Sequence, residues 1–494
     1  MSMPPWPSLT RRTALRGAGL SAAAALWSAT PRTRASAASA GASAYSLEPA
    51  PGTAALLGTG QPHTSVWAYN TRVPGPVLRL RQGEPFRAIV RNGLAEGTTV
   101  HWHGIRLPNA MDGVPLLTQK PIAPDGTFTY AFTPPDAGTF WYHPHEHTAA
   151  EMGRGMAGAL IVEEPEPPAF ERDLLWVLQD WELEPSGILL PGFDTFMQAA
   201  MAGRIGNVVT INGSRRTDVP LRAGERIRLR LVNACLARFM ALRFAGHRVV
   251  VVALDGQPVT QPFAPAGGRV LIAPAQRVDL LLDTVGDPGS RYQVTDDFYG
   301  GRLTYRLTEL AYTNQPRLHP RLPAQPPILK PNPVPAPDLR APVRHRLTIV
   351  GGMMGGMGGG RGMMGGGGGM MGGMGMTADG KPTPASAIWG IQGPHGMNDG
   401  MAPIFTIPLG RTALITLENQ TRWWHPMHLH GYSFTVLSRN GVAARYPHLR
   451  DTVVLRPNET VTFAFAANNP GNWMFHCHVI EHQATGLMTV IRVA

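Results

Sequence analysis

The chain of 494 residues has only two cysteines, few charged side chains and, after its first forty residues, no long apolar run. If Cys477 binds a metal, Cys235 has no partner, so we expect no disulfide and a small buried apolar role for Cys235. No segment beyond residue 40 has the roughly eighteen continuous apolar residues of a membrane span. Lys and Arg form no run interleaved with aromatic residues, which argues against nucleic-acid binding. We therefore expect a soluble protein with no nucleic-acid partner.

The first forty residues have the features of an export signal. Arg11 and Arg12 form a twin-arginine pattern, residues 17–29 are apolar, and small residues at 35–40 offer cleavage sites. No acidic residue precedes Glu48, which argues against the alternative of an amphipathic helix. Five arginines of this segment account for five of the eleven net positive charges. We predict a bacterial protein exported to the periplasm by the twin-arginine route.

Glycine and proline are abundant, and the apolar segments are short and β-branched, which predicts an all-β fold with many turns. One strand-like segment recurs three times, as LRQGEPFRAIVRN, LRAGERIRLRLVN and IPLGRTALITLEN, ending at Asn92, Asn233 and Asn419. Each copy has the pattern of a sandwich strand that is entered by a turn and left by an Asx-type turn. The repeat predicts three β-sandwich domains in tandem.

The repeats also predict the domain boundaries. Domain 1 spans residues 44–164, domain 2 spans 165–313 and domain 3 spans 343–494. A Pro-rich linker, semi-rigid by composition, covers residues 314–342. A connector of this length allows domain 3 to return and pack against domain 1.

Ten of the 17 histidines fall in four short clusters. Counting nine and eleven residues forward from the repeated Asn reaches two histidines in domains 1 and 3, but Leu242 and Phe244 in domain 2. The segment GTFWYHPH, ending at His145, likewise corresponds to GNWMFHCH, ending at His478, while GSRYQVTD of domain 2 has no histidine. Domain 2 is therefore interpreted as a spacer. The clustered residues are His101 and His103; His143 and His145; His425, His428 and His430; and His476, His478 and His482.

The strand around Cys477 can carry metal ligands on both of its faces. Side chains alternate along a strand, so Cys477 faces away from His476 and His478. A thiolate with the imidazoles of His425 and His482 predicts a soft site for copper or zinc, of the kind used for electron transfer. The eight histidines of the four HxH pairs suit several copper ions that bind dioxygen. Taken alone, this strand also fits a lone buried cysteine among surface histidines.

Four motifs, HWHG, HPH, HPMHLHG and HCHVIEH, are similar to those of the multicopper oxidases, the family of laccases and bacterial copper-efflux cuprous oxidases. The resemblance implies three cupredoxin-like Greek-key domains, four copper ions and reduction of dioxygen to water. It implies a type 1 copper on His425, Cys477 and His482, and a type 2 copper on His101 and His428. It also implies a type 3 pair held by His103, His143, His145, His430, His476 and His478.

The resemblance gives catalytic roles to two residues. Electrons from the reducing substrate would enter at the type 1 site and pass through Cys477 to the histidines beside it. Asp112 matches an acid that assists proton delivery in the family. The alternative for Asp112 is a turn residue before Gly113.

Two positions near the C-terminus depart from the pattern of many relatives. Leu487, the tenth residue after Cys477, stands where a Met would be a weak axial ligand, so we predict a three-coordinate type 1 site. Gln483 stands where many bacterial relatives have an acid. Proton delivery through residue 483 is therefore in doubt, although Glu481 offers an acid nearby.

Residues 351–376 contain only Gly, Met and Arg361, and such a segment cannot bury a core. Thioethers select Cu(I), and copper-efflux oxidases carry a Met-rich insert over the type 1 site, so we predict Cu(I) capture. Met397, Asp399 and Met401 are candidates to assist, with a Gly-rich turn as the alternative. The nine methionines of the segment are Met353, Met354, Met357, Met363, Met364, Met370, Met371, Met374 and Met376.

These observations predict an exported, monomeric oxidase that takes electrons from Cu(I), phenols or aromatic amines and serves copper tolerance. Trp423 and Trp424 precede His425, where relatives that bind substrate copper have Asp and Met. These aromatics either shape a pocket for phenols or pack. Two alternatives remain, a laccase with organic substrates only, whose Met-rich segment shields the site, and a periplasmic protein that sequesters copper without turnover.

Overall fold

The computed structural model describes residues 44–193, 195–216, 218–353, 388–398 and 400–494. These residues are mainly β-strands, arranged in seven sheets. In this part of the chain no helix combines the length and apolar character that crossing a membrane requires. The predicted export signal lies outside the described residues, as do Asp399 and the methionines from Met354 to Met376.

The first sandwich joins its sheets through aromatic packing. Its strands are β1 (Tyr45–Leu47), β2 (Pro49–Ala54), β3 (Thr64–Tyr69), β4 (Gly75–Arg81), β5 (Phe86–Arg91), β6 (His101–His103), β7 (Thr127–Phe132), β8 (Gly138–His143) and β9 (Gly158–Glu163). They form sheets in the orders β1-β5-β7, β4-β9-β8-β6 and β2-β3. Phe86 of β5 packs edge-on against Trp102 of β6, with ring centroids 5.1 Å apart. A 3₁₀ turn, Asn109–Met111, and helix α1 (Thr148–Gly153) lie in its loops.

The second sandwich has its own apolar core. Its strands are β10 (Arg172–Trp181), β11 (Val208–Ile211), β12 (Val219–Leu221), β13 (Arg226–Asn233), β14 (Met240–Phe244), β15 (Val249–Leu254), β16 (Gln257–Phe263), β17 (Val270–Ile272), β18 (Arg277–Asp283), β19 (Arg291–Asp296) and β20 (Tyr305–Tyr312). They form the sheets β11-β10-β13-β18-β15-β16 and β12-β20-β19-β14-β17. Its helical segments are α2 (Phe196–Ala200) and the 3₁₀ turns Ala266–Gly268 and Gly301–Leu303. Leu242 and Phe244 are buried in this core, as packing residues should be.

The third sandwich carries most of the clustered histidines. Its strands are β21 (Val343–Gly351), β22 (Trp389–Gly393), β23 (Gly396–Met397), β24 (Pro403–Ile407), β25 (Thr412–Asn419), β26 (His425–Leu429), β27 (Phe434–Arg439), β28 (Val442–Ala443), β29 (Leu449–Arg450), β30 (Thr452–Leu455), β31 (Thr460–Ala466), β32 (Gly471–Cys477) and β33 (Met488–Val493). One sheet runs β23-β22-β21-β25-β31-β27-β28, with β29 also paired to β27, and the other runs β24-β33-β32-β26-β30. Helix α3 (Ile480–Ala484) connects β32 to β33.

The threefold repeat of the sequence is a threefold repeat of structure. The strand that carries the repeated segment pairs in parallel with the first strand of its sandwich, as β5 with β1, β13 with β10 and β25 with β21. Each repeated Asn donates to two backbone carbonyls at 2.7–3.0 Å and accepts from the backbone N–H two residues later. The prediction of three tandem β-sandwiches with Asx-type turns is therefore confirmed.

The segment between the second and third sandwiches contacts the first and the second sandwich. Asn332 accepts from the backbone N–H of Ala137 at 2.9 Å and donates to the Ala137 carbonyl at 2.8 Å. The same amide donates to the side chain of Gln257 at 3.0 Å. These bonds fix the connecting segment across the first two sandwiches, from where the chain enters β21.

Candidate metal centre

The strand pair β26 and β32 sorts its side chains onto two faces. The antiparallel register places His428 opposite His476 and Met427 opposite Cys477. Side chains directly opposite one another share a face of the sheet, and neighbours along a strand do not. The two histidines therefore lie on one face and Cys477 on the other. This confirms the back-to-back arrangement predicted for this strand.

On one face, Cys477 meets two imidazoles. Its Sγ lies 3.6 Å from Nδ1 of His425 and 3.7 Å from Nδ1 of His482, and these two nitrogens are 3.2 Å apart. The other nitrogen of His482, Nε2, lies 2.8 Å from the carbonyl oxygen of Met201. A carbonyl only accepts, so Nε2 carries the proton and Nδ1 presents a lone pair to the sulfur side. All three side chains are buried. The arrangement is a His2Cys trigonal set suited to copper.

Leu487 lies beside this set and offers it no donor atom. The backbone N–H of Cys477 donates to the Leu487 carbonyl at 2.9 Å. Because Met488 is opposite His476 in the register, the alternation of the strand turns Leu487 to the Cys477 face. Leu487 is fully buried. Its position is the one that the sequence predicted for an axial non-ligand.

On the other face, eight histidines from the first and third sandwiches form one buried cluster. Six of them make two triads of neighbouring rings, and in the triad of His145, His430 and His476 the ligand atoms lie within 4.8 Å of one another. The ring centroids are 5.0–5.6 Å apart among His103, His143 and His478. They are 5.1–5.2 Å apart among His145, His430 and His476. The remaining two rings, of His101 and His428, are 5.8 Å apart. Each triad draws on both sandwiches, so the cluster exists only where the two sandwiches meet.

Hydrogen bonds turn these rings toward the centre of the cluster. Four Nδ1 atoms lie 2.8–3.0 Å from backbone carbonyl oxygens, which fixes Nδ1 as the protonated nitrogen, in His101, His143, His428 and His476. Nε2 then carries the lone pair. The buried Nε2 atoms of His101, His145 and His428 have no hydrogen-bond partner. A buried polar atom without a partner is costly, so this donor set fits metal ions.

Asp112 holds two cluster histidines, one from each sandwich. Its Oδ2 accepts from Nδ1 of His430 at 2.8 Å, and its backbone carbonyl accepts from Nδ1 of His101 at 2.8 Å. The carboxylate is 1% exposed. Gly113 follows with φ +78°, and a Cβ there would lie 1.9 Å from the Val100 carbonyl oxygen. Asp112 is thus a turn residue as well as a partner of the cluster, and the two interpretations of the sequence are compatible.

Two further residues of the site, Asp451 and Arg277, were not predicted from the sequence. The Asp451 carbonyl accepts from Nδ1 of His428 at 3.0 Å, and its Oδ1 lies 3.4 Å from Nε2 of His103. Arg277, from β18 of the second sandwich, donates to both carboxylate oxygens at 2.9 and 2.5 Å. The guanidinium lowers the pKa of Asp451 well below its usual range. The only signal in the sequence was that Arg277 begins the apolar strand RVDLLLD. A charged side chain buried in such a strand needs a partner of opposite charge.

None of the predicted copper ligands belongs to the second sandwich, but this sandwich does more than separate the other two. The second sandwich supplies Arg277 to the acid behind the histidine cluster and the Met201 carbonyl to His482 of the cysteine site. The Gly of the HWHG motif belongs to the same contact. Gly104 has φ +85°, and a Cβ there would lie 2.3 Å from Nη2 of Arg277 and 2.5 Å from Oδ2 of Asp451. Only glycine allows the ion pair to approach the first sandwich so closely.

The described structure is interrupted between Met353 and Ile388, and residues on each side of this gap lie near the cysteine site. Met353 is 41% exposed, and its carbonyl accepts from the indole of Trp423 at 3.1 Å. After the gap, the ring of Trp389 lies 4.3 Å from that of His482 and 5.0 Å from that of His425. The Met-rich segment therefore begins near the His2Cys set, while its methionines from Met354 onward lie outside the described residues.

The structure also locates three other residues that were singled out in the sequence, Trp424, Met401 and Cys235. Trp424 packs against Phe239 and Phe298 of the second sandwich, with centroids 5.7 and 5.5 Å apart, which favours the packing interpretation for this residue. Met401 lies beside the histidine cluster and not at the cysteine site. Cys235 is buried and free, as predicted.

Burial sets the protonation of the site. It raises the pKa of the Cys477 thiol, so metal binding must displace a proton from the sulfur. It lowers the pKa of His482 to about 3. The pKa is also lowered by burial in His103, His143, His145, His425, His428, His430, His476 and His478. At neutral pH these imidazoles are neutral, which is the state that binds metals.

Acid should destabilise the copper-free protein. Each of these histidines binds a proton near pH 6.5 when unfolded but at lower pH when folded, so the unfolding free energy falls as pH drops below 6.5. Each proton taken up only on unfolding contributes about 1.4 kcal/mol per pH unit. Urea unfolding of copper-free protein should show a loss of at least about 2 kcal/mol between pH 7 and pH 5, the contribution of His482 alone. Equal stability at the two pH values would contradict the burial of neutral histidines.

Comparison with known proteins matches most of each sandwich. Family models described as multicopper oxidase match residues 53–167, 172–312 and 377–494. The crystal structure of a multi-copper oxidase from Pseudomonas thermotolerans is 34% identical, with a TM-score of 0.75, and the match covers 92% of this chain and 100% of that one. Laccase-1 of Fomitopsis schrenkii is 30% identical over 474 residues, which cover 87% of this chain and 83% of the laccase. Multicopper oxidase MmcO of Mycobacterium tuberculosis is 27% identical over 464 residues, covering 88% and 84%.

The matches follow the three sandwiches in order, and they confirm the predicted cupredoxin-like fold. They agree with a site in which a His2Cys set and a histidine cluster stand on opposite faces of one strand. The chain belongs to the multicopper oxidase family and is a copper-containing oxidoreductase that uses dioxygen.

Proposed function

We propose that the protein is an exported oxidase that couples one-electron oxidation of Cu(I) to the four-electron reduction of dioxygen to water, with phenols and aromatic amines as further reductants. The observation that carries this proposal is the single strand that bears Cys477 on one face and His476 on the other. Export to the periplasm is supported by the sequence of residues 1–40, and a role in copper tolerance by the nine methionines of residues 351–376.

The same geometry supports a proposal for the ligands of four copper ions. The type 1 ion takes His425, Cys477 and His482, whose donor atoms lie within 3.7 Å of one another. The type 2 ion takes His101 and His428, whose Nε2 atoms are buried and unpartnered. The type 3 pair takes the two triads, His103, His143 and His478 on one side and His145, His430 and His476 on the other.

When bound, copper at these positions accepts single electrons at the cysteine side and supplies four electrons to dioxygen at the histidine side. The electron-accepting site and the dioxygen-reducing site are separated along the chain by a single residue step, from Cys477 to His476 or His478. Cys477 is covalently continuous with His476 and His478, which face the cluster. The ligands are no more than 5% exposed, so bulk water is excluded from both sides. Asp112 holds His430 through Nδ1, and we propose that its carboxylate also accepts and returns protons at the cluster.

Cu(I) is favoured as a reductant because the Met-rich segment begins near the type 1 ligands. The carbonyl of Met353 accepts from Trp423, two residues before His425, and Trp389, the second residue after the gap in the described structure, packs on His482. We propose that the thioethers of residues 351–376 hold Cu(I) next to the electron entry point. A laccase restricted to organic substrates would use the same segment only as a shield. A protein that sequesters copper would keep all the ligands but consume no dioxygen.

Removing the thioethers should separate Cu(I) oxidation from phenol oxidation. In a variant whose residues 354–376 are replaced by a Gly/Ser segment of equal length, we expect kcat/KM for Cu(I) to fall by about tenfold or more, the loss of roughly 1.4 kcal/mol of binding. Oxygen-electrode assays with Cu(I) or a phenol as sole donor measure both activities. The phenol reaction should be unchanged, because the replacement keeps the length of the segment. Unchanged Cu(I) kinetics in this variant would contradict Cu(I) capture by the segment and would favour the alternative of a laccase with organic substrates only.

Leu487→Met should lower the reduction potential of the type 1 site. The thioether would add a weak axial donor that stabilises the oxidised ion, which Leu487 does not provide. Redox titration of the blue absorption measures the effect, with Leu487→Ile as a control of similar volume that has no donor. The control should titrate like the wild type. A potential for Leu487→Met that equals or exceeds that of the wild type would show that residue 487 is not axial.

A further inference from the structure

A second group of methionines surrounds a pocket beside the histidine cluster, away from the Met-rich segment. The pocket has a volume of about 240 Å³ and lies between α1 of the first sandwich and α3 of the third. Met401, Met474 and Met488 line it together with His145 and His147. None of the described residues that line it is acidic. Its described lining therefore offers thioethers, imidazoles and the amide of Gln483, but no carboxylate.

The strand register directs two of these methionines to the cluster side of the sheet. Met488 of β33 is directly opposite His476 of β32, and Met474 lies two residues before His476 on the same strand. Opposite residues share a face, and so do residues two apart. Met474, His476 and Met488 therefore share one face, and His476 on that face belongs to the cluster. Met474 is 1% exposed, while Met401 and Met488 are partly exposed, so the methionines lead from the surface inward.

The pocket reaches the cluster at His145. This ring is 5% exposed, whereas the other seven histidines of the cluster are at most 1% exposed. Its Nε2 is buried and has no hydrogen-bond partner. His147, two residues further on, also lines the pocket, but its side chain is 54% exposed and its Nε2 lies 3.4 Å from a carboxylate oxygen of Glu146. A soft cation entering here would meet thioethers first and a free imidazole nitrogen last.

We propose that this pocket is a Cu(I) site that loads the histidine cluster. Cu(I) binds to the thioethers of Met401, Met474 and Met488 and then exchanges these ligands for Nε2 of His145. Thioethers are neutral and select Cu(I) over harder ions, so the transfer releases no proton and needs no electron. The inference rests on the proposed copper content of the cluster, and it gives the buried histidines a route of supply.

Silver(I) tests the site directly, because it is a soft, redox-inert cation that leaves the enzyme's turnover out of the measurement. Crystals of the copper-loaded protein soaked in Ag(I) should show one anomalous peak among the sulfurs of Met401, Met474 and Met488. The variant Met401→Leu/Met474→Leu/Met488→Leu keeps the volume but removes the sulfurs, and it should lose that peak. Any Ag(I) bound by residues 351–376 serves as an internal control for exposure to the ion.

Loading kinetics test the route. Copper-free protein is mixed with chelated Cu(I) without oxygen, and protein-bound copper is counted over time by atomic absorption. The triple variant should load the cluster about tenfold or more slowly, in the range that losing supporting groups costs a metal site. The matched control, Met111→Leu/Met197→Leu/Met240→Leu, alters three methionines outside the pocket and should load like the wild type. If the triple variant unfolds, Met401→Leu/Met488→Leu, at two partly exposed positions, replaces it.

The outcomes are separable from the fate of the proposed oxidase activity. No Ag(I) peak in the pocket, or a variant that loads as fast as the wild type, would overturn the inference even if the loaded enzyme oxidises Cu(I). If the wild type binds Ag(I) in this pocket and the triple variant loads copper slowly, the inference is supported even if the loaded enzyme consumes negligible dioxygen.

Discussion

Cys477→Ser should lower the rate of substrate oxidation by about a thousandfold or more, a rise in the barrier of roughly 4 kcal/mol or more. The serine oxygen is a hard, weakly acidic donor and cannot replace the thiolate of a His2Cys set. His425 and His482 keep their anchors to Thr421 and the Met201 carbonyl, so the fold should persist. The measurements are turnover with Cu(I) and with a phenol, the blue absorption, and the copper content.

The second cysteine provides the control for this prediction. Cys235 is also buried, and its sulfur lies 3.7 Å from the Leu178 carbonyl in the core of the second sandwich. Cys235→Ser makes the same sulfur-to-oxygen change at a residue that is not one of the proposed copper ligands, so activity and colour should stay near those of the wild type. If Cys477→Ser kept its colour and more than about a tenth of its activity, electron entry through Cys477 would have to be abandoned.

Arg277→Met should destabilise the protein by about 3–5 kcal/mol, because it leaves the carboxylate of Asp451 buried without its counter-charge. Both side chains are fully buried, and the two groups share two hydrogen bonds. Since Asp451 also supports His428, the variant should retain less copper after dialysis. Urea unfolding of the copper-free protein and copper analysis of the loaded protein measure the two effects.

Two further variants separate the ion pair from a general effect of removing arginine. Arg79 and Glu163 are 3.0 Å apart at the surface, with side chains 45% and 43% exposed, so Arg79→Met should cost less than about 1 kcal/mol. Adding Asp451→Asn to Arg277→Met removes the unpaired charge and should restore part of the stability. A single Arg277→Met variant as stable as Arg79→Met would refute the role of this pair.

The periodic features of the chain were predictable because they depend on local spacing. The repeated Asn at the end of a strand fixes an Asx-type turn, and alternation along β32 fixes which face Cys477 takes. Both follow from backbone geometry alone. Pairing between β26 and β32 was accessible from the correspondence between repeats.

Contacts without a sequence period were not predictable. Arg277 and Asp451 are 174 residues apart and lie in different sandwiches, so neither carries a spacing signal. Met401 follows the Met-rich segment closely in the chain and was grouped with it. The fold instead places it with Met474 and Met488 beside His145, because the pairing of β33 with both β24 and β32 determines that neighbourhood.

The central claim is that electrons enter at Cys477 and reduce dioxygen completely to water at the histidine cluster. The most direct test is a parallel measurement of Cu(I) oxidised, dioxygen consumed and hydrogen peroxide released by the copper-loaded protein. The account predicts four Cu(I) oxidised per dioxygen, no peroxide, and no consumption above background by Cys477→Ser. Two Cu(I) per dioxygen with peroxide release, or undiminished consumption by Cys477→Ser, would contradict it.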